Sequence, residues 1–329
     1  MHEPALLPWH ADAWGQLVGM SNLPHAFLLV GPAGIGKRAF AARLAAWLLC
    51  LQPRDGQACG SCRSCLLREA GSHPDLFQVG PEEEGKQIRI ERIRNLIDFI
   101  NQTAQQGGRK VVLLDPADAM NQNASNALLK TLEEPAQDTF LLLVSDQPGL
   151  LLPTVRSRCR HLSLSGPDAT SALDWLRESL SGLPDDQLAL LLALAGGAPL
   201  RALQLHEQAV LEHLERVVTG IKQLLKDQVS VSVLADRLKS VPLLLLVDWL
   251  HDWTLTLQKL KLGLPAECAV ADMQPVLGYM ARHAAAAELQ AWQDWLLQHR
   301  RMLLTKANLN QTLLLESLWL HWKRLGKRR

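Results

Sequence analysis

Ala26-Phe27-Leu28-Leu29-Val30-Gly31-Pro32-Ala33-Gly34-Ile35-Gly36-Lys37-Arg38 decides how the first half of this chain reads. Its apolar opening, Ala26–Val30, is the pattern of a strand covered on both faces. A glycine-rich turn follows, and Arg38–Leu49 continues with helical composition, so the run has the strand–loop–helix form of a phosphate loop. Glycines in such a loop let backbone N–H groups approach phosphates, and the helix N-terminus adds a favourable dipole. Gly31, Gly34 and Gly36 form that cradle, and Lys37 stands where a lysine reaches the terminal phosphates. The next position calls for a Ser or Thr hydroxyl as a Mg²⁺ ligand. Arg38 offers no oxygen there.

A second departure lies on the apolar run Lys110–Leu114. Asp115 follows it where an aspartate would orient metal-bound water. A hydrolysing protein of this class carries a Glu base at the next position, which here is Pro116, and Asp118 is too far along to replace it. Two groups lost at one reaction centre point to discarded hydrolysis. Two readings of the loop stay open: weak nucleotide binding, or a loop kept for strand–helix packing.

Further strands are expected at Leu76–Val79, Lys110–Leu114, Thr139–Val144 and Arg160–Leu164, alternating with helical patterns such as Ile93, Leu96, Ile97 and Ile100. That alternation predicts an α/β domain with a parallel sheet over 1–165. Ser165-Gly166-Pro167 reads as its end, and 166–207 as a small helical unit broken at Gly196-Gly197-Ala198-Pro199. From about Glu207 the chain is all-α, giving a third domain over 208–329 with helices expected at Val241–Trp253, Ala284–Leu297 and Asn310–Trp322. Seven of the ten Trp lie after residue 170, at helical spacing that favours packing over base stacking.

The chain has 329 residues and a net charge of +1, so no global field draws it to nucleic acid. Its basic end, Lys323, Arg324, Lys327, Arg328 and Arg329, reads as a solvated terminus in preference to a phosphate contact. No apolar run approaches the ~18 residues of a membrane span, and residues 1–8 lack a signal pattern, so a cytoplasmic, membrane-free protein is expected. Four of the six cysteines cluster as Cys50-x8-Cys59-x2-Cys62-x2-Cys65. Four thiolates close a tetrahedral zinc site and leave no position for substrate, so the metal expected is structural Zn²⁺. Neither ferredoxin spacing is matched, which leaves unmetallated thiols and, behind them, an iron–sulfur cluster as the alternatives. Cys159 and Cys268 read as free buried cysteines.

Three further runs carry a resemblance. Asn126-Ala127-Leu128-Leu129-Lys130-Thr131-Leu132-Glu133-Glu134-Pro135 resembles the signature helix of bacterial clamp-loader subunits. Ser157-Arg158-Cys159 resembles their Ser-Arg-Cys motif, and Ala307-Asn308-Leu309-Asn310 with Leu313-Leu314-Leu315-Glu316 their closing helix. The cysteine quartet after a phosphate-loop helix narrows the resemblance to the gamma/tau and delta-prime groups of DNA polymerase III. Arg38 and Pro116 favour the delta-prime group, with an active gamma/tau-type ATPase as the alternative.

The resemblance implies an AAA+ module with a zinc insert (50–65), a helical lid, and a C-terminal collar. It implies a hetero-pentamer with gamma/tau and delta subunits that loads the sliding clamp onto primed DNA, as part of the polymerase holoenzyme. It also implies that Arg158 is an arginine finger offered in trans to a neighbour's ATP site. From the residues alone, an intramolecular ion pair is the competing reading of Arg158. Arg201 could be a remnant of a nucleotide-sensing arginine, although the local spacing differs by one residue.

Overall fold

The computed structural model describes residues 5–83, 85–106, 108–304 and 309–326. Ala307, Asn308, Lys327, Arg328 and Arg329 lie outside the described residues. Five strands, β1 (Ala26–Val30), β2 (Leu76–Val79), β3 (Lys110–Leu114), β4 (Thr139–Ser145) and β5 (Arg160–Ser163), form one sheet in the order β2-β3-β4-β1-β5. All four strand pairs are parallel. This is the parallel sheet, with a phosphate-type loop after β1, expected from the sequence.

Period-2 alternation sends neighbouring side chains to opposite faces, and both faces are buried. Leu28, Val112, Leu114, Leu141 and Leu143 pack with Ile93, Leu96 and Ile100 of the helix Ile90–Asn101 and with Leu128 and Leu132 of the helix Gln122–Glu133. Phe27, Leu29, Val111, Leu113 and Leu142 face the other way, onto Phe40, Leu44 and Leu48 of the helix Lys37–Leu49. Asn121 caps the helix Gln122–Glu133 by accepting from the Ala124 N–H at 2.9 Å.

The register sets the site. Val30 pairs with Ser145 and Leu114 with Leu143, so Gly31, Asp115 and Asp146 leave β1, β3 and β4 at one edge. Open parallel sheets bind ligands at these carboxyl ends.

The chain divides into two compact units. One runs through Ser181 and takes in Ala195–Ala202; the other holds Gly182–Leu194 and the chain from Leu203. The second is all-α, built on Val210–Leu225, Leu243–Lys261, Gln274–His283, Ala286–Leu304 and Gln311–Gly326. The long helices Leu243–Lys261, Ala286–Leu304 and Gln311–Gly326 begin one or two residues inside the expected starts and run past the expected ends, where packing continues. Leu257 is fully buried, and Asp248 reaches Arg300 at 2.6 Å. Trp249, Trp253, Trp292, Trp319 and Trp322 are buried, as packing residues should be.

Cys159 is buried in the sheet's core, which pushes its thiol up to about 12. Cys268 differs from expectation: it is only partly buried, because it lies between helices, where its N–H donates to Gln274 Oε1 at 2.7 Å. Among the described residues, no single helix is long and apolar enough to cross a membrane.

Candidate nucleotide loop and metal centre

Gly31–Gly36 curls between β1 and the helix Lys37–Leu49 as the sequence predicts. Gly34 and Gly36 take φ of 79° and 96°, a region that L side chains rarely adopt. Space is short as well. A Cβ on Gly34 would come within 2.5 Å of Arg201 Cβ, and one on Gly36 within 2.2 Å of Leu7 Cδ1. The loop is roofed by these neighbours, and the Leu200 N–H donates to Gly34 O at 3.1 Å while Trp9 Nε1 donates to Ile35 O at 2.9 Å. Arg201 thus meets the loop through its backbone and Cβ, with an exposed side chain.

Lys37 is buried, and its ammonium is fully occupied. It donates to Gly31 O at 2.7 Å and Pro32 O at 2.5 Å, and pairs with Asp146 Oδ1 at 2.5 Å. The next residue, Arg38, has its Nε 3.2 Å from Asp115 Oδ2. Burial holds the Asp115 carboxyl above its ordinary value, with Arg38 acting against that shift. Asp118 holds the end of β4: Ser145 Oγ donates to its Oδ1 at 2.5 Å and the Asp146 N–H to the same oxygen at 3.1 Å. Asp118 is therefore a positioning residue, a role that the sequence reading did not give it.

His10 closes the floor of this region. It is 1% exposed, packs edge-on to Phe40 at 5.4 Å, and its Nε2 is buried without a hydrogen-bond partner. Burial first, and then Lys37, lower its pKa to about 4. The unfolded chain therefore takes up a proton that the folded one refuses, so stability is lost as pH falls from about 6.5 towards about 4. Unfolding at pH 7 and pH 4.5 should show about 2 kcal/mol less acid sensitivity in His10→Leu than in the parent. Equal acid sensitivity would remove His10 as the cause.

The cysteine quartet closes as the spacing predicts. The sulfurs of Cys50, Cys59, Cys62 and Cys65 all lie within 4.8 Å of one another, with Cys50–Cys62 and Cys59–Cys65 at 4.0 Å. Tetrahedral Zn²⁺ with bonds of about 2.3 Å needs sulfurs about 3.8 Å apart, so the donor set fits the metal in number, chemistry and spacing. Gly60 turns the knuckle with φ 70°, and backbone N–H groups point at sulfur: Cys59 N to Cys50 Sγ at 3.2 Å and Cys62 N to Cys59 Sγ at 3.3 Å. The Ser61 and Cys62 N–H groups bring the Cys59 thiol down to about 6, whereas burial raises Cys50 and Cys65. A cation among them would favour the thiolate form at every position.

A buried polar brace anchors the insert. Ser64 Oγ donates to Leu49 O at 2.6 Å and accepts from His73 Nε2 at 2.8 Å, and His73 Nδ1 accepts from the Asp75 N–H at 3.0 Å. The Asp75 carboxylate accepts from the N–H groups of Gln105 and Gln106, both at 2.8 Å. His73 itself meets Ser64 and the Asp75 N–H, and the brace as a whole reaches Leu49 and Gln105–Gln106 through those two residues.

Two of the quoted motifs meet in space. Arg158 Nη2 pairs with Glu133 at the end of the signature helix, and its Nη1 donates to Thr154 O at 2.9 Å. Cys159 packs in the same core as Leu128 and Leu132.

Sequence models for "DNA polymerase III, delta subunit" and "DNA polymerase III, delta subunit, C terminal" match residues 10–168 and 208–324. A DNA polymerase III subunit delta' of Pseudomonas aeruginosa is 51% identical over 97% of this chain and 98% of its own length. The chain belongs to the delta' family. The Escherichia coli delta' subunit is 31% identical over 95% of this delta' chain and 94% of its own. A tau/gamma subunit of Haemophilus influenzae is 32% identical over 65% of it, but over only 32% of that longer relative.

Within this delta' chain the structure brings Gly31, Gly34, Gly36 and Lys37 together at one sheet edge and the four cysteines together at another point. Arg158 belongs to neither group. Asp146 and His10, which complete the loop, were missed: an aspartate after a strand and a histidine near the N-terminus carry no motif signal.

Proposed function

We propose that this delta' chain is a non-hydrolysing subunit of a clamp-loader complex, working beside gamma/tau and delta subunits to place the sliding clamp on primed DNA. The observation that carries it is the charge pairing at the loop. Arg38 lies against Asp115 where a metal ligand and metal would stand, and Pro116 replaces the general base. An ATP site so altered keeps the shape of an ATPase without its chemistry. Residues 166–207 and 208–329 serve as lid and collar in this reading, and Cys50, Cys59, Cys62 and Cys65 hold structural zinc.

Arg158 acts in trans as the arginine finger. Its present partner is a half-exposed carboxylate, and such pairs are worth only about 0–1 kcal/mol, so exchange for a neighbour's γ-phosphate costs little. The test is ATP turnover by the pure chain and by mixtures with an intact gamma/tau-type ATPase. No turnover is expected from the chain alone, and stimulation is expected in the mixture. Brisk hydrolysis by the chain alone would replace this reading with an active ATPase.

A further inference from the structure

An ordinary nucleotide loop offers its lysine to phosphate oxygens and its hydroxyl to Mg²⁺. Here both positions are met by the protein itself. Lys37 keeps two of its donors on the loop carbonyls of Gly31 and Pro32, and the third contact is the Asp146 carboxylate. That carboxylate is an anion on the lysine that would otherwise meet the ligand's anion. The backbone that carries it is anchored on Asp118, whose Oδ1 accepts from the Asp146 N–H and from Ser145 Oγ. Asp146 is 45% exposed, so it can swing outwards without rearranging the core, whereas Lys37 at 3% cannot.

The metal side differs in kind. Arg38, itself 80% exposed, puts a guanidinium on Asp115 where the hydroxyl ligand would stand, and a cation paired there opposes a second, divalent one. The residues present therefore do not fit Mg²⁺. They do still fit phosphate: the loop backbone, the helix N-terminus and Lys37 are all in place.

We propose that Asp146 is a built-in competitor that keeps polyphosphate off an otherwise competent loop, and that removing its charge opens a polyphosphate site that needs no metal. The ligand class is a nucleoside or inorganic polyphosphate in its metal-free form. This rests on the non-hydrolysing reading only in supposing that the loop is not used for catalysis.

The experiment is calorimetric titration of the full chain with inorganic triphosphate and with ATP, each in EDTA and in excess Mg²⁺. Asp146→Asn should bind at least about tenfold more tightly than the parent, about 1.4 kcal/mol. Asp146→Ser should do the same, which guards against a misfolded first variant. Excess Mg²⁺ should weaken binding in both, and Asp146→Asn with Lys37→Gln should return to the parent's affinity. Equal affinity of parent and both Asp146 variants would overturn the proposal, as would a gain that survives Lys37→Gln. Tightening by Mg²⁺ would equally overturn the metal-free assignment. Hydrolysis of ATP by Asp146→Asn alone, with the tighter binding present, would instead sink the non-hydrolysing reading and leave the competitor standing.

Discussion

Cys62→Ser should strip the metal from this chain and unfold the 50–65 segment before the rest of the domain. Parent protein is expected to carry about one zinc per chain, the capacity of a single closed four-thiolate site. With one thiolate gone, the remaining three leave a water-accessible position and the affinity collapses. Structural zinc binding is worth about 10–16 kcal/mol in small peptides, and because the site forms only on folding, part of that energy is folding energy.

The loss should not stay local. Cys50 directly follows the phosphate-loop helix Lys37–Leu49, and Ser64 holds Leu49 O at 2.6 Å. A loss of about 3 kcal/mol would lower the melting temperature of a unit this size by roughly 5–10 °C. Metal analysis and thermal melting in parallel decide the matter. A parent with less than about half an equivalent of zinc, or a variant with an unchanged melting curve, would leave the quartet as plain thiols.

Arg158→Ala should have the larger catalytic effect and almost no structural one. The side chain is at the surface with one carboxylate and one carbonyl for partners, so folding stability should move by no more than about 1 kcal/mol. On the trans-finger proposal, turnover in the reconstituted complex should fall by roughly 10³-fold, the lower end of what fingers supply to GTPases. Arg158→Lys should recover little, because an ammonium lacks the planar fork that spans two phosphate oxygens. Glu133→Gln releases the arginine from its partner and should not slow the complex. Single-turnover measurements separate these outcomes, and an unimpaired Arg158→Ala complex would return Arg158 to a simple ion pair with Glu133.

The acid sensitivity of His10 and the titration of Asp146 variants rest on contacts that no motif announces. Val30-Gly31 and Ser145-Asp146 are far apart in sequence, and they become neighbours only because β4 inserts between β1 and β3. The brace of Ser64, His73 and Asp75 has the same origin, since its hydrogen bonds reach Leu49 and Gln105–Gln106 across three segments. Glu133 and Arg158 were each legible as members of a motif, but their pairing was open until the end of one helix met the turn before β5.

What the sequence by itself determined is the chemistry that depends on residue type and short spacing. Continuous apolar runs declare strands buried on two faces, glycines mark a loop that must pass close to other atoms, and cysteines with eight and two residues between them can reach one ion. The absence of a hydroxyl at Arg38 and of a base at Pro116 is equally a matter of identity at a known offset. Only the tertiary structure decided which charges meet: Lys37 with Asp146, Arg38 with Asp115, Arg158 with Glu133. The reason is range. Backbone geometry and local periodicity act over a few residues, whereas an ion pair depends on where distant segments are brought by the packing of the sheet.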